Sequence, residues 1–94
     1  MAMLYQPDGR TKQIQPAGPY WSVAELQALV GGNIEVISTV DQKFMVINDE
    51  GKLLGLELNI PATRIYLHGR KDVIVGNAVV VDTRLELDGP DEEV

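Results

Sequence analysis

The stretch 73–81, Val-Ile-Val-Gly-Asn-Ala-Val-Val-Val, constrains this chain more than any other. It is apolar at even and odd positions alike, and the side chains of a strand alternate between two faces. A strand of this kind belongs at the centre of a sheet with both faces covered. Gly76 interrupts the run and predicts a bulge or a close approach of another backbone. A chain of 94 residues has room for one such sheet and its covers, in a single domain.

The remaining elements are read from turns and periodicity. Residues 3–15 predict a hairpin at the sheet edge, because Pro7-Asp8-Gly9 joins a preset φ to a residue that accepts positive φ. Residues 22–30 predict the main helix. Ser22 stands three residues before Glu25, the capping-box spacing, and Val23, Leu26, Leu29 and Val30 form an apolar stripe that Gly31-Gly32 ends. Trp21 precedes the cap and is expected to fold back onto the first turn. Residues 33–40 and 43–48 read as strands around Asp41-Gln42, and a second tight turn follows at 48–51. Residues 52–58 leave strand and irregular extended chain open, with Gly55 against a continuous strand. Asn59 and Pro61 predict a short helix running to about His68. The sum is an α+β fold: a small, mostly antiparallel sheet with one amphipathic helix on one face and a second short helix at an edge.

Charge divides the chain. The net charge is −6, and residues 82–94 hold six acids against Arg84, whereas residues 1–81 hold eight acids against seven bases. The expected domain is therefore 1–82, with 83–94 an acidic, disordered tail. Nucleic acid is not an expected partner, since affinity for phosphate comes from Lys and Arg. Arg64, Arg70 and Lys71 form one local basic group. No segment reaches the roughly 20 apolar residues of a membrane span, and the N-terminus lacks a secretory pattern, so a cytoplasmic protein is expected.

The inventory points away from catalysis. There is no cysteine and a single histidine, His68. Ser22 is accounted for by capping, and no serine neighbours His68 in sequence. Asp49-Glu50 lies in a hydrophilic turn, which does not raise a carboxyl pKa as acid–base chemistry requires. Asp49, Glu50 and Asp72 could be drawn together on a metal, but their spacing matches no ligand motif. The expectation is a non-enzymatic protein with no catalytic residue, no metal and no cofactor.

Three ordered strings carry a resemblance: 25–36 (ELQALVGGNIEV), 45–56 (MVINDEGKLLGL) followed by Asn59 and Ala62-Thr63, and 72–81 (DVIVGNAVVV). Together they resemble a family of small proteins carried by bacteriophages, plasmids and gut bacteria and described only as a domain of unknown function. Glu57 stands where that family usually has proline. The resemblance implies no catalytic residue, but it implies a mobile-element setting, in which small proteins often serve counter-defence. On that basis the expected function is sequestration of a nucleotide immune signal, of cyclic or ADP-ribose type. The candidate ligand-binding residues are Trp21, Asn48, Glu50, Asn59, Thr63, Arg64, Tyr66, Arg70 and Asn77: aromatic rings to stack on a base, cations for phosphate, and polar groups at strand ends. The alternative is a protein–protein inhibitor of a host defence nuclease or effector, working through acidic charge mimicry. Either form is compatible with a homo-oligomer built on an exposed edge strand.

Overall fold

A computed structural model describes residues 2–39, 41–66 and 72–88. The chain runs β1 (Ala2–Tyr5), β2 (Thr11–Ile14), α1 (Val23–Val30), β3 (Ile34–Ser38), β4 (Phe44–Asn48), α2 (Ile60–Tyr66), β5 (Ala78–Val81) and α3 (Leu85–Asp88). The five strands form one antiparallel sheet in the order β2-β1-β5-β4-β3. β5 is the middle strand and all four of its residues are buried, as a run apolar at both parities requires.

Parity sorts the core into two clusters. Val79 and Val81 of β5 and Val46 of β4 meet Leu26 and Val30 of α1, with Ala2, Leu4 and Trp21. Ala78, Val80 and Met45 point to the opposite face and meet Ala62, Ile65 and Tyr66 of α2. α2 therefore packs on the second sheet face, where the sequence placed it at an edge. The result is a three-layer domain, helix on sheet on helix.

Local chemistry closes each element. The β1–β2 hairpin turns through Gly9 at φ 93°, and the Arg10 N–H donates to Asp8 Oδ1 at 3.0 Å. At α1, the Glu25 N–H donates to Ser22 Oγ (3.1 Å) while the Ser22 N–H donates to Glu25 Oε1 (2.9 Å). Gly31 ends the helix in the left-handed region at φ 83°, its N–H on the Gln27 carbonyl.

The run 73–81 is only partly strand. β5 begins at Ala78, and residues 73–77 leave the ladder to form a single bridge, Val75 to Leu58. Gly76 makes the break, at φ 75° and with its N–H on the Glu57 carbonyl (2.7 Å). A Cβ there would lie 2.7 Å from Leu56 Cδ1. Of residues 52–58, which the sequence leaves open between strand and irregular extended chain, 52–55 continue the turns that run through Gly51.

The fold also reaches past residue 82. α3 places the Glu86 carbonyl on the Trp21 N–H at 2.7 Å, packs Leu87 on the first core cluster and sets the Arg84 guanidinium 5.9 Å from the Phe44 ring centre. Residues 83–88, expected within a disordered tail, belong to the domain. The expectation for 89–94 lies outside the described residues.

Candidate functional site

Most of the polar candidates are joints between elements. Asn59 is 0% exposed, and its amide donates to the carbonyls of Tyr5 (2.9 Å) and Gly76 (2.7 Å). Its Oδ1 accepts the Ala62 N–H (3.0 Å), so the same side chain caps α2. Thr63, one turn on, donates its hydroxyl to the Asn59 carbonyl (2.7 Å) and accepts the Ile74 N–H (2.9 Å). Asn48 and Asn77 act together elsewhere: their amides donate to Val30 O (3.2 Å) and Leu29 O (2.9 Å), the orphan carbonyls at the end of α1. Asn48 Oδ1 also accepts the Glu50 N–H at 2.7 Å. The strings that carried the family resemblance thus converge on two hydrogen-bonded knots.

The other candidates separate. Trp21 is 4% exposed and packs with Leu26 in the first core cluster, and its Nε1 has no hydrogen-bond partner among the described residues. Tyr66 packs on the second cluster, and Arg64 is exposed in the last turn of α2. His68, Arg70 and Lys71 lie outside the described residues. Of the candidates among the described residues, Glu50 and Asn48 are the two that meet at a cleft with further charged groups.

That cleft lies on the α2 side of the sheet, at the end of β4. Asp49 prolongs the β3–β4 ladder, its N–H on the Asn33 carbonyl (2.8 Å), and the chain then turns sharply over the sheet. Gly51 permits the turn, because a Cβ there would sit 2.9 Å from Val75 Cγ2. The floor is Ile47 and Val75, and Leu53 and Val73 form apolar walls. Glu35, Asp49, Glu50, Lys52 and Asp72 stand around the rim, and the cavity encloses about 230 Å³.

Electrostatics leave this rim net negative. Lys52 and Asp72 pair with each other, and the Lys52 ammonium, with the Val73 N–H, holds the Asp72 carboxyl below its ordinary range. Glu35, Asp49 and Glu50 have no ion-pair partner among the described residues, so three negative charges face solvent above an apolar floor. The spacing of Asp49, Glu50 and Asp72 matches no metal-ligand motif, although the fold brings the three to one cleft. No group of three or more His, Cys, Asp or Glu residues is arranged to hold a metal ion among the described residues. Glu35 was missed. Its signal was a lone acid at the parity of Ile37 in an apolar strand, the position of a charge at a sheet margin.

A larger, shallower groove of about 510 Å³ runs between α1 and the 55–57 segment, over Asn77. Its polar lining includes the C-terminal end of α1 and Glu57, both unfavourable to an anion. No described helix is long and apolar enough to cross a membrane.

A family model described as Domain of unknown function (DUF3846) matches residues 1–91. No curated protein and no solved structure matches the chain.

Proposed function

Because the chain belongs to the DUF3846 family, whose function is unknown, we propose from its own surface that it is a non-enzymatic binding domain whose cleft takes a basic side chain of a protein partner. The observation that carries this reading is the cleft: Glu35, Asp49 and Glu50 above Ile47 and Val75. Its volume of about 230 Å³ lies below the roughly 300–1,000 Å³ of ordinary small-molecule sites. One Lys or Arg side chain suits it, with methylenes on the floor and charge at the rim. Such a domain acts by occupancy, covering a basic surface on its partner. The motif resemblance to phage- and plasmid-borne proteins supports a counter-defence setting, with a host defence nuclease or effector as the partner. A nucleic-acid-binding surface on that partner would supply the cations.

One observation supports the nucleotide reading instead. Arg64 is exposed two residues before Tyr66, so a phosphate could be met at that end of α2. The negative rim and the α1 C-terminus disfavour an anion in either of the two clefts they line.

Amide-resolved NMR titration separates the two readings. An Arg/Lys-rich peptide is expected to move the resonances of residues 48–53 and 72–75, with an affinity that falls as salt rises and is lost in Glu50→Lys. A silent response to the peptide, with ADP-ribose or a cyclic dinucleotide saturating residues 60–66, would overturn the proposal in favour of nucleotide sequestration.

A further inference from the structure

We infer that the domain forms a two-fold dimer through β3, joining two sheets into one of ten strands and walling each acidic cleft with the partner copy. β3 is a terminal strand of the sheet. Its hydrogen-bond parity follows from two contacts that flank it: Thr39 N–H to Lys43 O (3.0 Å) and Asp49 N–H to Asn33 O (2.8 Å). The register pairs Glu35 with Ile47 and Ile37 with Met45. Odd-numbered residues of β3 therefore exchange bonds with β4, and the N–H and C=O groups of Ile34, Val36 and Ser38 point away from the sheet.

The two sheet edges differ in how they are protected. β2, the opposite edge, reads Thr-Lys-Gln-Ile, three of its four residues are exposed, and Pro16 follows it closely. Lysine and proline on an edge discourage strand addition. β3 reads Ile-Glu-Val-Ile-Ser, without Lys or Pro, and its pairing with β4 is continuous and free of bulges. An open edge this regular is a template for another strand.

Self-complementarity selects a second copy as that strand. A two-fold axis at Val36 overlaps all five residues of β3, pairing Val36 with itself and Ile34 with Ser38 through their outward backbone groups. Glu35 then stands opposite the partner copy's Ile37 and not opposite its own equivalent. Shifting the axis to Glu35 would set the two carboxylates face to face, which is unfavourable.

The cleft gives the dimer a consequence. Glu35 and Leu53 line it together, and Leu53, at 86% exposure, is the most exposed large apolar side chain of the described residues. An isoleucine placed beside Glu35 from the second copy adds an apolar wall on the cleft's open side. The paired clefts then flank the two-fold axis on one face. This inference needs only the cleft's geometry, so its failure would leave the proposed occupant untouched.

The test reads mass and register. Sedimentation equilibrium of the full chain is expected to show twice the 10.3 kDa of the monomer. Ser38→Pro removes an outward N–H and no bond to β4. It is expected to weaken the dimer at least about tenfold, two symmetry-related donors being lost. The chain has no cysteine, so a mixture of Glu35→Cys and Ile37→Cys chains is a clean register probe. Opposed Cα atoms in such a pair lie about 4.5 Å apart, within disulfide reach. The mixture is expected to cross-link far more than Glu35→Cys alone. A monomer at every concentration would overturn the inference, as would a dimer that cross-links through Gln13→Cys on β2 instead. Trp21 fluorescence, reporting a buried ring, confirms in each case that the variant is folded.

Discussion

Asn59 offers the sharpest test of whether the polar motif residues are joints of the fold or contacts for a ligand. Its side chain makes three hydrogen bonds at 0% exposure, to Tyr5 O, Gly76 O and the Ala62 N–H. In Asn59→Ala all three partners lose their bond, two of them, the Gly76 carbonyl and the Ala62 N–H, in buried positions. At about 0.5–1.5 kcal/mol net per bond the loss is about 2–4 kcal/mol. A domain of this length has a total stability of only about 5–14 kcal/mol. Asn59→Asp keeps the acceptor that caps α2 but turns a carboxylate oxygen toward two carbonyl oxygens. That charge is buried and repelled, so the folded-state pKa of the new carboxyl rises above its ordinary value of about 3.9. The sign follows directly. Below the unfolded pKa the group is neutral in both states and can restore one donor, so the defect is smallest there. It grows as pH rises through the elevated folded value. Urea denaturation followed by circular dichroism at two pH values measures both effects. Loss of less than about 1 kcal/mol in Asn59→Ala, or an Asn59→Asp defect independent of pH, would refute the reasoning.

Three further expectations use the same measurement. Trp21 Nε1 makes no hydrogen bond among the described residues, so Trp21→Phe should cost only about 1 kcal/mol, through lost volume, against about 3–5 kcal/mol for Trp21→Ala; near-equal losses would contradict this. Glu25, held by the N–H groups of Ser22 and Ala17, Asp41, held by the Thr39 hydroxyl, and Asp72, held by Lys52, all have carboxyls lowered below their ordinary values. Their stabilisation is complete above the ordinary carboxylate range and is lost as pH falls through the lowered folded values, and Glu25→Gln should flatten part of that acid limb. Ending the chain after Asp82 removes the Trp21–Glu86 backbone bond and the packing of Leu87, for an expected loss of about 2 kcal/mol; an unchanged urea midpoint would show that α3 contributes nothing.

How far the sequence could be read depended on the range of each interaction. Ser22 and Glu25 are three residues apart, and their reciprocal bonds needed only a helix to form, so α1 was legible with its cap. Gly9 and Gly31 were legible for the same reason, as turn positions set by local sterics. The centrality of the 73–81 run was legible too, because an apolar pattern at both parities has only buried solutions. Its length as a strand was not, since Gly76 leaves the ladder to meet the Glu57 carbonyl and the Leu56 side chain, which come from a distant part of the chain.

The polar candidates show the same limit. The sequence reads Asn48 as a turn residue and Asn59 as a cap, but Asn48, Asn59 and Asn77 each reach a carbonyl at least 17 positions away. Which carbonyl it meets depends on strand order, a property that no local pattern encodes. The acidic cleft is likewise a product of topology: Glu35, Glu50 and Asp72 come from three separate segments, and only the fold of residues 49–55 over the sheet sets them on one rim. The sequence alone determined an α+β domain with one doubly buried strand, because period and capping act within a few residues. Tertiary structure decided that α2 packs on the second face, that residues 83–88 belong to the domain, and that four carboxylates share one rim, because each rests on contacts between segments far apart in the chain.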